Sequence, residues 1–217
     1  MKKISPSILD VPKDNLINYV TQLTKWGVNN VHYDIMDNIF VPNVALQYAE
    51  VKSIKENCPK HIMDIHLMVK DVFGYYEMYK NVGDIITFHY EALTESEILQ
   101  LIEIAKKDNV KLGISIKPKT KVREIIPLIK NFSLVLIMSV EPGFGGQKFI
   151  ENSLNKVSEL KQYLTKNNLK NILIQIDGGI NGDNIKNCFK FGVDMAVVGS
   201  YLVKNFSEET INKLTER

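Results

Sequence analysis

Cysteine is nearly absent from this chain: two residues in 217, Cys58 and Cys188, far apart and without a CxxC spacing. That excludes a disulfide framework and a thiolate-rich metal site, and the simplest reading is reduced structural thiols in a cytoplasmic protein. Long apolar runs are missing too. No stretch approaches the roughly 18 residues of a membrane span. The amino-terminal MKKISPSILD has only a short apolar run, broken by Ser5, Pro6 and Ser7, too little for a signal-peptide core. Nor is one sign of charge in excess: 27 basic side chains face 25 acidic ones, and neither forms a block. A footprint for nucleic acid or an anionic membrane is therefore lacking, and small molecules are the expected partners.

Two further absences concern the fold. No GxGxxG turn follows the first apolar run at Leu9, which argues against an open dinucleotide-binding sheet. No linker or break in composition divides residues 1–217, so one domain is expected. What is present is an alternation of short β-branched runs with longer amphipathic segments. The expected strands are Lys3 to Leu9, Asn30 to Ile35, His61 to Leu67, Ile85 to His89, Lys111 to Ile116, Leu134 to Ser139, Ile172 to Asp177 and Met195 to Gly199. Helical patterns fall between them, among them Asn15 to Trp26, Glu95 to Asp108 and Glu151 to Lys166. Eight βα units predict an α/β protein built as a single (β/α)8 TIM barrel, with its active site at the carboxyl ends of the strands.

The segment Val31 to Asn43, VHYDIMDNIFVPN, sets His32, Asp34 and Met36 on one face of a strand. Burying an imidazole and a carboxylate costs several kcal/mol unless something pairs with them. The third strand repeats the pattern with Asp64, His66 and Met68, and the seventh ends on Asp177 beside Gln175. His89 ends the fourth strand, so three of the four histidines converge on one rim, while His61 starts a strand at the opposite, structural end. Such groups can simply satisfy one another by hydrogen bonding. Four of them at one rim, His32, Asp34, His66 and Asp177, instead favour a mixed nitrogen and oxygen metal site suited to zinc, manganese or ferrous iron.

Glycine-rich turns follow the last three strands: EPGFGGQ from Glu141 to Gln147, DGG from Asp177 to Gly179, and Gly199 with Ser200. Backbone amides of such turns can close around a phosphate. Met36, Met68 and Met138 fall at or just past strand ends. Methionine commonly fills core gaps, but three at one level would wall the site with aprotic surface suited to a carbanionic intermediate.

These segments, together with SPSIL at 5 to 9, DIHLMV at 64 to 69, ITFHYEA at 86 to 92, GISIKPKT at 113 to 120, VLIMSVEPGFGGQKF at 135 to 149, IDGGI at 176 to 180 and VVGS at 197 to 200, follow one another in a known order. Over essentially its whole length the chain resembles the ribulose-phosphate 3-epimerases. The resemblance implies a barrel of the ribulose-phosphate-binding type that interconverts D-ribulose 5-phosphate and D-xylulose 5-phosphate, with one divalent metal per subunit: zinc first, with iron(II), manganese or cobalt as alternatives. By motif match His32, Asp34, His66 and Asp177 hold the metal. Asp34 and Asp177 are the acid/base pair at carbon 3, acting through a cis-enediolate from opposite protonation states. Ser7 and His66 contact sugar oxygens, and the three methionines flank the intermediate. Gly143, Phe144, Gly145, Gly146, Gly178, Gly179, Gly199 and Ser200 surround the phosphate. A homo-oligomer of the cytoplasmic pentose phosphate pathway is implied as well.

Two segments depart from the family pattern. Asn38 stands where glycine is usual after MD, in a turn that Asn can still adopt. VALQYAEV at 44 to 51 replaces a TFGPP-like segment near the expected mouth of the site. The rival activities are an epimerase of the same fold acting on allulose 6-phosphate, whose relatives often have GFAGQ and DGS, and a decarboxylase or aldolase using Lys117. A non-catalytic sugar-phosphate binder is the alternative outside enzymology.

Overall fold

A computed structural model describes residues 3–215. Eight parallel strands form one sheet in the order β1-β8-β7-β6-β5-β4-β3-β2. They are β1 (Lys3–Pro6), β2 (Asn30–Met36), β3 (Ile62–Met68), β4 (Ile85–His89), β5 (Lys111–Ile116), β6 (Leu134–Met138), β7 (Leu173–Asp177) and β8 (Met195–Val198). Outside them run α1 (Leu16–Lys25), α2 (Tyr48–Asn57), α3 (Val72–Tyr79), α4 (Glu95–Asp108), α5 (Val122–Ile125), α6 (Ser153–Lys166), α7 (Ile185–Phe191), α8 (Ser200–Lys204) and α9 (Glu208–Thr215). The expected (β/α)8 TIM barrel is what forms. Among the described residues no helix is long and apolar enough to cross a membrane.

The elements follow from local sequence. In α4 the apolar residues Ile98, Leu101, Ile102 and Ala105 recur at helical spacing and all are buried. Thr94 and Glu97 cap its start reciprocally, and Asn109 in the left-handed region ends it. Along β2 the period is two: Val31, Tyr33 and Ile35 join the apolar shell between sheet and helices, while Asn30, His32, Asp34 and Met36 take the other face. Each aliphatic side chain buried in that shell contributes roughly 1.5–3 kcal/mol, which offsets the poor burial energetics of the polar face. The barrel interior is itself divided. Ile85, Leu134, Leu136, Met138 and Val140 form a small apolar cluster, and Ser5, Asn30, Asp64 and Gln175 form a buried polar one.

The first strand is shorter than the expected Lys3 to Leu9. The Ser7 hydroxyl oxygen accepts the Leu9 N–H at 3.2 Å and turns the chain away. Before it does so, Ser7 makes an isolated parallel bridge to His32, and the Ile8 N–H donates to the His32 carbonyl at 3.3 Å. These contacts join β1 to β2 and bring the two ends of the sheet together. The remaining strands and the helices named from sequence match to within one or two residues, the largest shift being α6, which starts at Ser153 after a turn at Glu151 and Asn152.

Beyond β2 the chain turns at Asp37 and Asn38. Asp37 Oδ1 accepts the N–H groups of Ile39 and Phe40, both at 2.8 Å, and its Oδ2 accepts the Lys70 N–H at 2.6 Å. Asn38 has φ 59°, the left-handed conformation that glycine would adopt freely and Asn tolerates. We expect Asn38→Gly to keep the thermal midpoint within a few degrees. Asn38→Val should lower stability by about 1–2 kcal/mol in urea unfolding, because a β-branched side chain is strained there. Equal stability of the Val variant would refute the strain argument.

Candidate active site and metal centre

Parallel register does most of the work of assembly. It sets His32 beside Asp64, Asp34 beside His66 and Met36 beside Met68 on alternate rungs of β2 and β3. Asp177 closes β7 beside Met138 of β6. As a result one donor atom from each of His32, Asp34, His66 and Asp177 lies within 4.8 Å of the other three. Asp34 Oδ1 is 3.4 Å from His32 Nε2 and 3.3 Å from His66 Nδ1. Those ring nitrogens are 3.3 Å apart, and Asp177 Oδ2 is 4.0 and 3.8 Å from them.

This spacing fits a cation. Ligands held at 2.0–2.1 Å from one tetrahedral ion would be separated by about 3.3–3.4 Å. His32, Asp34 and His66 already stand at that separation, with Asp177 somewhat farther out. The atoms turned away from this point have partners of their own: Asp34 Oδ2 accepts the Ser7 hydroxyl at 2.6 Å, and His32 Nδ1 meets Asp64 Oδ2 at 2.8 Å. Two imidazoles and two carboxylates make a donor set for a borderline divalent ion.

Asp64 is the anchor behind His32. Its Oδ2 also accepts from Gln175 Nε2 at 2.6 Å and Ser5 Oγ at 3.2 Å, and Ser5 in turn accepts from Asn30 Nδ2 at 2.6 Å. Burial alone would raise the Asp64 pKa, but His32 and then Gln175 hold it below the usual carboxylate range. Burial likewise disfavours a charged His32, yet Asp64 and Asp34 outweigh it and push its pKa well above the ordinary value. The two carboxyls facing each other across the cluster diverge. Asp34 is held well below the usual range by His32 and His66 against the effect of burial, whereas burial and the charge of Asp34 push Asp177 up to about 6. Opposite directions of shift are what an acid and a base sharing one site require.

Above the cluster opens a cavity of about 280 Å³. That is just below the roughly 300–1,000 Å³ of drug-sized sites, a scale suited to a compact substrate. Ser7, Asp34, Met36, Met68, Met138 and Asp177 line it, and so do residues 143–146, 178–179 and 199–200. All the cavity residues expected from sequence are therefore brought together, except that His66, like His32, is completely buried. Both His66 ring nitrogens have partners within the protein, Nδ1 towards His32 and Asp34 and Nε2 towards His89.

The glycines of the DGG turn have a steric reason. Gly178 and Gly179 have φ of 120° and 65°, and a Cβ on either would come 2.5 Å from Val140 Cγ2 or 2.6 Å from the Phe149 nitrogen. The loop after β6 is tied across the mouth, where Asn43 Nδ2 donates to the Gly143 carbonyl at 2.8 Å. The departing segment 44–47 lies against Asp10, Phe144 and Gly145 in an adjoining depression. It does border the mouth, as its position in the sequence suggested.

Other residues escaped the sequence reading. Asp10, Asn181 and Lys204 also line the cavity; Lys204 was findable, since it stands one helical turn after Ser200. Glu91 sits behind His89 on a 3₁₀ turn, Tyr90–Ala92, where strand periodicity has ended. Lys117, required by the aldolase-like alternative, turns its ammonium onto the ring of Phe40, 3.9 Å from the centroid. His61 occupies the structural end as expected, donating from Nδ1 to the Pro59 carbonyl at 2.7 Å and accepting the Tyr33 hydroxyl at 2.6 Å.

Comparison with known proteins bears on all of this. Residues 3–203 match the model of the ribulose-phosphate 3 epimerase family. The ribulose-phosphate 3-epimerase of Bacillus subtilis is 34% identical over 203 residues, 92% of this chain and 91% of that protein. The ribulose-phosphate 3-epimerase of Schizosaccharomyces pombe is 33% identical over 213 residues, covering 96% and 90% of the two chains. Among solved structures, 3-keto-L-gulonate-6-phosphate decarboxylase from Vibrio cholerae superposes with a TM-score of 0.71 at 16% identity, over 99% of this chain and 96% of its own, a likeness of fold alone. By the extent of the family match and the identity to full-length relatives, this chain belongs to the ribulose-phosphate 3-epimerase family.

Proposed function

We propose that this protein interconverts D-ribulose 5-phosphate and D-xylulose 5-phosphate by exchanging the proton at carbon 3, with Asp34 and Asp177 as the acid/base pair. The observation that carries the reading is the convergence of His32, Asp34, His66 and Asp177 on one point at the edge of a small cavity. Asp34 comes from β2 and Asp177 from β7, with β1 and β8 between them in the barrel wall. The two carboxyls thus approach a bound substrate from different sides, as inversion at one carbon requires. One removes the proton and the other returns one to the opposite face, and the roles exchange with the direction of reaction.

His32, Asp34, His66 and Asp177 would hold the divalent ion, zinc first among those suited to this donor set, with iron(II), manganese and cobalt also accepted. When bound, the ion supplies Lewis acidity that lowers the cost of negative charge developing on the substrate oxygens. Ser7 keeps Asp34 aligned through their 2.6 Å hydrogen bond. Met36, Met68 and Met138 are nearly fully buried and aprotic, so the two carboxyls are the proton sources next to carbon 3. Gly178, Gly179, Gly199 and Ser200, facing the loop at 143–146, receive the phosphate, and Lys204 adds a positive charge to that end. By the same resemblance we assign the protein to the pentose phosphate pathway of the cytoplasm, as a homo-oligomer.

Incubation with ribulose 5-phosphate in D₂O tests carbon-acid chemistry and metal dependence together. We expect deuterium at carbon 3, lost on treatment with a chelator and restored by zinc. Binding without exchange would make the protein a sugar-phosphate sensor, and a higher kcat/KM on allulose 6-phosphate would transfer the assignment to the hexose epimerases. Asp34→Asn and Asp177→Asn should each lower kcat by at least roughly 10²–10⁴-fold while far-UV circular dichroism and the unfolding transition stay cooperative. Substantial turnover by either variant would refute the two-base assignment.

A further inference from the structure

Behind His66 a chain of polar groups that the reaction as described does not use runs from the buried interior to half-buried Glu91. His66 directs Nδ1 at Asp34 and Asp177, and its Nε2 is 2.9 Å from Nε2 of His89. His89 Nδ1 is 3.3 Å from Glu91 Oε2. The other oxygen of Glu91 accepts the Lys117 N–H at 2.7 Å and the Thr120 hydroxyl. Both imidazoles are completely buried, and the ring of Phe40 packs on His89 with centroids 5.0 Å apart.

The hydrogen-bond pattern leaves each group one role. A ligand nitrogen presents a lone pair, so if His66 meets a cation through Nδ1, its proton is on Nε2. Nε2 of His89 must then accept, which puts the His89 proton on Nδ1. That proton needs an acceptor, and Glu91, kept as a carboxylate by its two donors, is one. The register neighbours of the two rings, Thr87 and Ser115, each leave a buried hydroxyl without a protein partner, so neither hydroxyl takes part in this chain. On the other side of the centre, His32 delivers its outward Nδ1–H straight to Asp64 at 2.8 Å. Both ligand imidazoles therefore end on a carboxylate, one directly and one through a second imidazole.

We propose that His89 and Glu91 are positioning residues that lock His66 into the Nε2–H tautomer, with the Nδ1 lone pair aimed at the donor cluster. The proposal rests on the metal-centre reading above, and its consequence is a metal affinity that depends on groups well outside the ligand shell. A purely structural role for Glu91, which also ties the loop after β5, would lower stability alone.

Zinc affinity, measured by competition with a chromophoric chelator, separates the two. Glu91→Gln and His89→Leu should weaken zinc binding roughly 10–100-fold. His89→Gln, whose amide oxygen can still accept from His66, should stay close to the parent. Unchanged affinity in Glu91→Gln and His89→Leu would overturn the proposal. In parallel, ¹⁵N spectra of the histidine-labelled, metal-free parent should read His89 as the neutral Nδ1–H tautomer, and the Nε2–H tautomer there would equally overturn it. A parent that takes up no zinc would refute the metal centre instead, with the His89 tautomer still deciding whether the relay exists.

Discussion

The register of β2 against β3 is the constraint on which the rest of this molecule depends. Three alternate rungs carry His32 with Asp64, Asp34 with His66, and Met36 with Met68. They are at once the anchor, the donor groups and the aprotic wall of the site. Side chains alternate across a strand, so a slip of β2 by one residue would send His32, Asp34 and Met36 into the apolar shell and bring Val31, Tyr33 and Ile35 into the barrel. The hydrophobic effect sets the register from outside, because the shell residues of β2 and β3 are almost completely buried. The polar face is carried along and made tolerable by mutual pairing.

That pairing explains how a barrel interior can hold so much charge. Asp64 is a buried carboxylate with three donors on one oxygen, from His32, Gln175 and Ser5. Groups that share partners in this way avoid the several kcal/mol each would cost alone. The apolar half of the interior, around Leu134 and Leu136, makes no such demand. The interior is thus asymmetric, polar under β2, β3 and β7 and oily under β6.

Much of this was legible from the chain. Strand positions followed from β-branched runs, and the convergence of His32, Asp34, His66 and Asp177 followed from polar residues placed where an apolar alternation was due. What could not be read is whatever depends on rotamers and on contacts across strands. Alternation alone does not distinguish Asp64, the anchor of His32, from Asp34, which faces the cavity, since both alternate with apolar neighbours. Only the register, and the depth it gives each rung, separates them. The early end of β1 was hidden because Ser7 reads as an ordinary strand residue until its hydroxyl is seen capturing the Leu9 amide. Glu91 was hidden because the 3₁₀ turn that presents it has no periodic signature.

Partners in the site are distant along the chain: Gln175 and Asp64, joined by a 2.6 Å hydrogen bond, are 111 residues apart. A chain emerging from the ribosome presents His32, Asp34 and His66 long before Asp177 exists. Contacts of such separation form late, because loop closure must precede them. The four-residue cluster of His32, Asp34, His66 and Asp177 is therefore complete only when the sheet closes. Assembly of the site becomes a final event of folding, timed by topology.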